Sequence, residues 1–122
     1  MASVFEATAG KAIGYPSGTG GAVTQGTSKS TGVTINKPTG VITTHDASLT
    51  GGAEVSFVVT NSFVAATDVP VVAIQSGPST GTYIASVSAV AAGSFTVTIS
   101  NVGTTAGEAL LINFALIKGA LD

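Results

Sequence analysis

The chain of 122 residues has no cysteine and no tryptophan, and its four cationic side chains are all lysine. Without cysteine, disulfides and thiolate metal sites are excluded, and thiol usage gives no sign of a redox compartment. Charge of either sign is scarce, at 8% of residues. Lys11, Lys29, Lys37 and Lys118 are scattered, so the cluster of cations with which nucleic-acid binders displace counterions is missing. No apolar run approaches the roughly 18–20 residues a membrane-spanning helix needs, because Thr, Ser and Gly interrupt every candidate. The opening residues lack the basic and apolar regions of a signal peptide. The sequence therefore predicts neither a nucleic-acid nor a membrane partner.

Catalytic groups are equally sparse. His45 is the one histidine, and Asp46 follows it directly. On a strand, neighbouring side chains point to opposite faces, so the pair reads as a turn-region His-Asp rather than a dyad. The carboxylates Glu6, Asp46, Glu54, Asp68, Glu108 and Asp122 are dispersed, with no Asp-x-Asp calcium spacing. They read as solvated surface groups, with Glu54 and Glu108 protecting strand edges. The glycine-rich stretch 14–21 lacks both the Gly-Lys-Ser/Thr and the following helix that a phosphate loop requires. Asn61, Asn101 and Asn113 lie outside glycosylation sequons. These absences argue against an enzyme, and no cofactor motif is present.

What the chain does contain is β-forming. Hydrophobic residues make up 44%, glycine occurs 16 times, and Val and Thr recur in alternation. β-branched side chains lose rotamer freedom in helices and fit pleated surfaces. Strands are predicted at residues 22–25, 32–35, 40–44, 54–61, 69–75, 83–90, 94–100 and 109–117. Lys37-Pro38-Thr39-Gly40 reads as a β-turn, and Ala91-Ala92-Gly93 as a hairpin tip. In 54–61, Val55, Phe57 and Val59 share one face. In 94–100, Phe95, Val97 and Ile99 point inward while the serines and threonines between them point outward. This pattern predicts an all-β fold, an antiparallel β-sandwich or jelly-roll-like domain over 21–122, preceded by an extended N-terminal arm over 1–20.

The strand 109–117 is apolar on both sides, with Leu110, Ile112, Phe114 and Leu116 on one and Leu111, Ala115 and Ile117 on the other. A two-faced strand must be covered twice. The expectation is a closed homo-oligomer, a trimer before a dimer, with Leu110, Ile112, Phe114 and Leu116 at the oligomer or capsid contact. In the arm, Phe5, Ile13 and Tyr15 are the expected anchors on a neighbouring subunit. The alternative for 109–117 is that the strand is simply central.

Three stretches carry a resemblance: GGAVTQGTSKSTGVTINKPTG at 20–40, VSFVVTNS at 55–62 and LINFALIKG at 111–119. They resemble small β-rich structural proteins of tailed bacteriophages, over nearly the whole chain from about Tyr15 onward. The resemblance implies a virion component made in the host cytoplasm and placed on the capsid surface. Its implied role is a capsid decoration, or cement, protein that binds the major capsid protein and stabilises the head shell. The absence of a long shaft favours this over the alternative, a tail- or head-fibre domain that binds a receptor or glycan. The resemblance brings no catalytic residues with it, and a small hydrolase is the remote third reading.

Overall fold

The computed structural model describes residues 9–77, 79 and 81–120, and these contain strands but no helix. The strands are β1 (Gly21–Thr24), β2 (Val33–Thr34), β3 (Thr39–Thr43), β4 (Ser48–Leu49), β5 (Glu54–Thr60), β6 (Val69–Ser76), β7 (Tyr83–Ala91), β8 (Ser94–Asn101), β9 (Ala106–Gly107) and β10 (Leu111–Ile117). They form one four-stranded sheet in the order β1-β3-β10-β6, a second in the order β2-β5-β8-β7, and a β4-β9 ribbon. We call the first two the β10 sheet and the β8 sheet.

Period-2 patterning places the core. Ile42, Ile112, Phe114 and Leu116 of the β10 sheet and Phe57, Val59, Phe95, Val97 and Ile99 of the β8 sheet are almost wholly buried in one cluster. Phe95 and Phe114 meet across the sheets with ring centroids 5.6 Å apart. Small side chains elsewhere let the sheets approach closely, which suits a core with few bulky members.

Two features depart from an all-antiparallel arrangement. β1 pairs with β3, and β2 with β5, in parallel. The chain passes from the β10 sheet to the β8 sheet and back between β1 and β3, so the connection needed for a parallel pair is supplied by a strand of the other sheet. The β-turn predicted at residues 37–40 is confined to a bend at Lys37 and Pro38, and Thr39 and Gly40 already belong to β3. The β7–β8 hairpin is as expected, with Gly93 at a φ of 83° in its tip, where a side chain would be strained. The short β4-β9 ribbon has no sequence signal, since two residues are too few for alternation to register.

Two buried asparagines close the corners. Asn61, just past β5, donates to the Lys37 carbonyl (2.7 Å) and accepts from the Phe63 amide (2.9 Å). Asn101, at the end of β8, donates to the Leu49 and Thr104 carbonyls (2.8 and 2.9 Å) and accepts from the Gly103 amide (2.9 Å). Each satisfies main-chain groups where the ladder stops, as buried polar groups must be satisfied.

Candidate interaction surface

The two sheets turn chemically different faces outward. On the β8 sheet the outward positions carry mainly hydroxyls, which bond to one another: Ser56 with Thr98 opposite it (2.7 Å), and Thr98 with Ser88 (2.8 Å), which sits at the bulge of β7. On the β10 sheet, strand register places Ala22, Val41, Asn113 and Ala73 in one outward row, and Thr39, Ala115 and Val71 in the next. Ile117 and Val69 follow as an outward pair at the strand ends. Val69, Val71 and Ile117 are 54%, 47% and 57% exposed. No outward strand position of this sheet, among the described residues, carries a charge. An open groove of about 750 Å³ runs along this face, between Ala22 and Val41 on one side and Val71 and Ala73 on the other.

This geometry corrects the expected contact residues. Leu110, Ile112, Phe114 and Leu116 are 0%, 0%, 2% and 3% exposed within a single chain. β10 lies between β3 and β6, so these side chains fill the intramolecular core and are not available to a partner. β10 is indeed apolar on both sides, but the side left open is that of Leu111, Ala115 and Ile117. Alternation reveals that a strand has two apolar faces without saying which one the opposing sheet will cover.

The arm residues divide three ways. Phe5 lies outside the described residues. Ile13 is 76% exposed and contacts no core. Tyr15 is anchored within its own chain, its hydroxyl donating to the Leu116 carbonyl at 2.5 Å. The Leu116 amide donates to the Pro38 carbonyl on the side where β3 has not yet begun, and amide and carbonyl of one strand residue point the same way. The carbonyl therefore also faces Pro38, which has no amide to return, and it is left free for Tyr15.

The polar residues set aside by the sequence form two clusters. Lys29 is 3% exposed, and its ammonium donates to the main-chain carbonyls of His45 and Glu108. Burial lowers its pKa, against the raising influence of Asp46 and Glu108. Gln25 completes this cluster, donating to the Lys29 and Thr31 carbonyls and accepting from the His45 amide, each at 2.9 Å. Asp68 is buried and takes bonds from the Ala65 amide (2.9 Å), Lys118 (2.5 Å) and the Gly119 amide (3.3 Å). The reading of every carboxylate as solvated thus fails at Asp68 and at Glu108, whose Oε1 accepts from Ser79 at 2.7 Å.

His45 and Asp46 do approach, with Nδ1 and Oδ1 3.5 Å apart, because they lie outside any strand and need not diverge. Yet Nδ1 accepts the Ala47 amide at 2.9 Å and so carries no proton to share with Asp46. The pair is held as a turn and not as an acid–base relay. Among the described residues no group of three His, Cys, Asp or Glu could hold a metal ion, and no helix is long and apolar enough to cross a membrane. Comparison with protein-family models, with curated proteins and with solved structures returned no match.

Proposed function

We propose that the protein is a non-enzymatic structural component of a virion, a capsid decoration protein that attaches to the head shell through the outer face of the β10 sheet. The observation that carries this reading is the contrast between the two outward faces. One bears mainly hydroxyls, interrupted by exposed Val58 and Ile84, and the other is an uncharged, mostly apolar groove flanked by exposed Val69, Val71 and Ile117. A contiguous apolar face on a small domain costs free energy in water and is characteristic of a surface that a protein covers. The resemblance of 20–40, 55–62 and 111–119 to phage structural proteins supplies the partner, the major capsid protein. In this reading the two facing sheets are a jelly-roll-like β-sandwich with parallel edge pairs. In the absence of heads, copies cover this face by associating with one another, as trimers before dimers, and exchange that contact for the shell on attachment.

The test uses heads assembled without this protein. Added protein should cosediment with them and raise the temperature at which they release DNA. Val71→Lys should do neither while keeping its fold. Failure of the unaltered protein to bind such heads, with adsorption of the phage to host cells blocked by the free protein instead, would move the assignment to a fibre domain.

A further inference from the structure

Asn113 stands in the middle of the outer face of the β10 sheet. β10 is an inner strand, and its register sets Asn113 between Val41 of β3 and Ala73 of β6, with Leu111 and Ala115 before and after it on the same side. Asparagine is among the residues depleted from strands, which accommodate branched and aromatic side chains better. The other three asparagines each hold main-chain groups: Asn36 takes the Ser62 amide, and Asn61 and Asn101 close the corners. Asn113 is exposed, lines the open groove, and its carboxamide bonds to none of the described residues. Thr39 and Gln75 are the other polar side chains of that groove. The Thr39 hydroxyl is taken up by the Phe114 carbonyl at 2.8 Å, and Gln75 belongs to the edge strand, at the irregularity in its pairing with β10. An amide with nothing to bond therefore occupies the centre of an uncharged, mostly apolar face.

The chemistry of that group points to a second copy of this chain. A carboxamide has an acceptor oxygen and N–H donors, so it can bond to another of its own kind. Symmetric association brings equivalent positions together, where a charged side chain would repel its copy and an apolar one would select no alignment. The chain carries a net charge of −2, yet no outward strand position of this face is charged among the described residues, so copies meet here without repulsion. A lone asparagine in an apolar interface fixes register and the number of partners at some cost in tightness. It does so because each misaligned arrangement leaves a buried amide unpaired.

We propose that Asn113 fixes the register and copy number of self-association, its carboxamide bonding to that of Asn113 in the neighbouring copy. This rests on the reading that copies cover the β10-sheet face by associating with one another. The test is sedimentation velocity on the full chain at neutral pH and micromolar concentration, for the unaltered protein, Asn113→Val and Asn113→Asp. The unaltered protein should form one oligomeric species. Asn113→Val should associate at least as tightly but as a mixture of species, because the selective amide is gone. Asn113→Asp sets like charges against each other and should weaken association roughly tenfold or more. By NMR, the Asn113 side-chain amide protons should exchange with water roughly tenfold more slowly in the unaltered assembly than in the Val71→Lys monomer. A monomeric unaltered protein would overturn this inference together with the self-association reading. An assembled unaltered protein would leave that reading standing and overturn the inference alone in any of three cases: Asn113→Val keeps one species of the same mass, Asn113→Asp assembles unchanged, or the amide protons exchange equally fast in assembly and monomer.

Discussion

Phe95 of β8 and Phe114 of β10 pack against each other across the two sheets, ring centroids 5.6 Å apart and planes inclined by 54°. Tilted pairs of this kind contribute about 0.5–1.5 kcal/mol beyond the area they bury. Phe114→Ala should therefore destabilise the chain by about 3–5 kcal/mol in denaturant titrations. Leu116→Asp should unfold it outright rather than dissociate an oligomer, because Leu116 is 3% exposed within one chain. A folded monomeric Leu116→Asp protein would mean that this face is not the core.

Asp68 makes the fold sensitive to acid. The Ala65 amide, Lys118 and the Gly119 amide hold its carboxyl below the ordinary carboxylate range. An unfolded aspartate takes up a proton near pH 3.9, before the folded one does. The stabilisation is thus complete above about pH 4 and is lost as pH falls further, through the lower folded-state value. Asp68→Asn should be less stable than the unaltered protein at neutral pH, and the difference should shrink below about pH 4. Equal stabilities at neutral pH would contradict this role.

Tyr15 should govern the arm without governing the core. Its hydroxyl is tied to the domain by the bond to the Leu116 carbonyl, typical of interactions contributing about 0.5–1.5 kcal/mol. Tyr15→Phe should speed limited proteolysis within residues 9–20 several-fold while leaving the unfolding midpoint of the domain nearly unchanged. Unchanged cleavage would show that the arm is held by other contacts.

The strands were legible because their side chains alternate. Phe95, Val97 and Ile99 against Ser94, Thr96, Thr98 and Ser100 leave little choice of inward face, and the observed burial follows it except at Thr98, an outward position covered by its hydroxyl neighbours Ser56 and Ser88. Sheet membership was not legible, because nothing in Val33-Thr34 or Gly21–Thr24 says which sheet a short strand will join, and the parallel pairs depend on that. The apolar outer face was half legible. β10 announces two apolar faces, and only the position of the β8 sheet settles that Phe114 is covered while Ala115 and Ile117 look outward. Asp68 and Glu108 were misread, and Lys29 drew no reading, because a single charged residue in a loop looks solvated until the carbonyls and amides that bind it are located in space.

The β10-sheet face is the centre of the account, and Val71, which lines its groove, is the probe, outward-facing and 47% exposed. The measurement is sedimentation equilibrium at micromolar concentration on the unaltered protein, Val71→Lys, and Ser86→Lys on the hydroxyl face. The account predicts a closed oligomer, trimeric first, for the unaltered protein and Ser86→Lys, and a folded monomer for Val71→Lys. An unaltered protein that stays monomeric, or a Val71→Lys protein that still assembles, would contradict it.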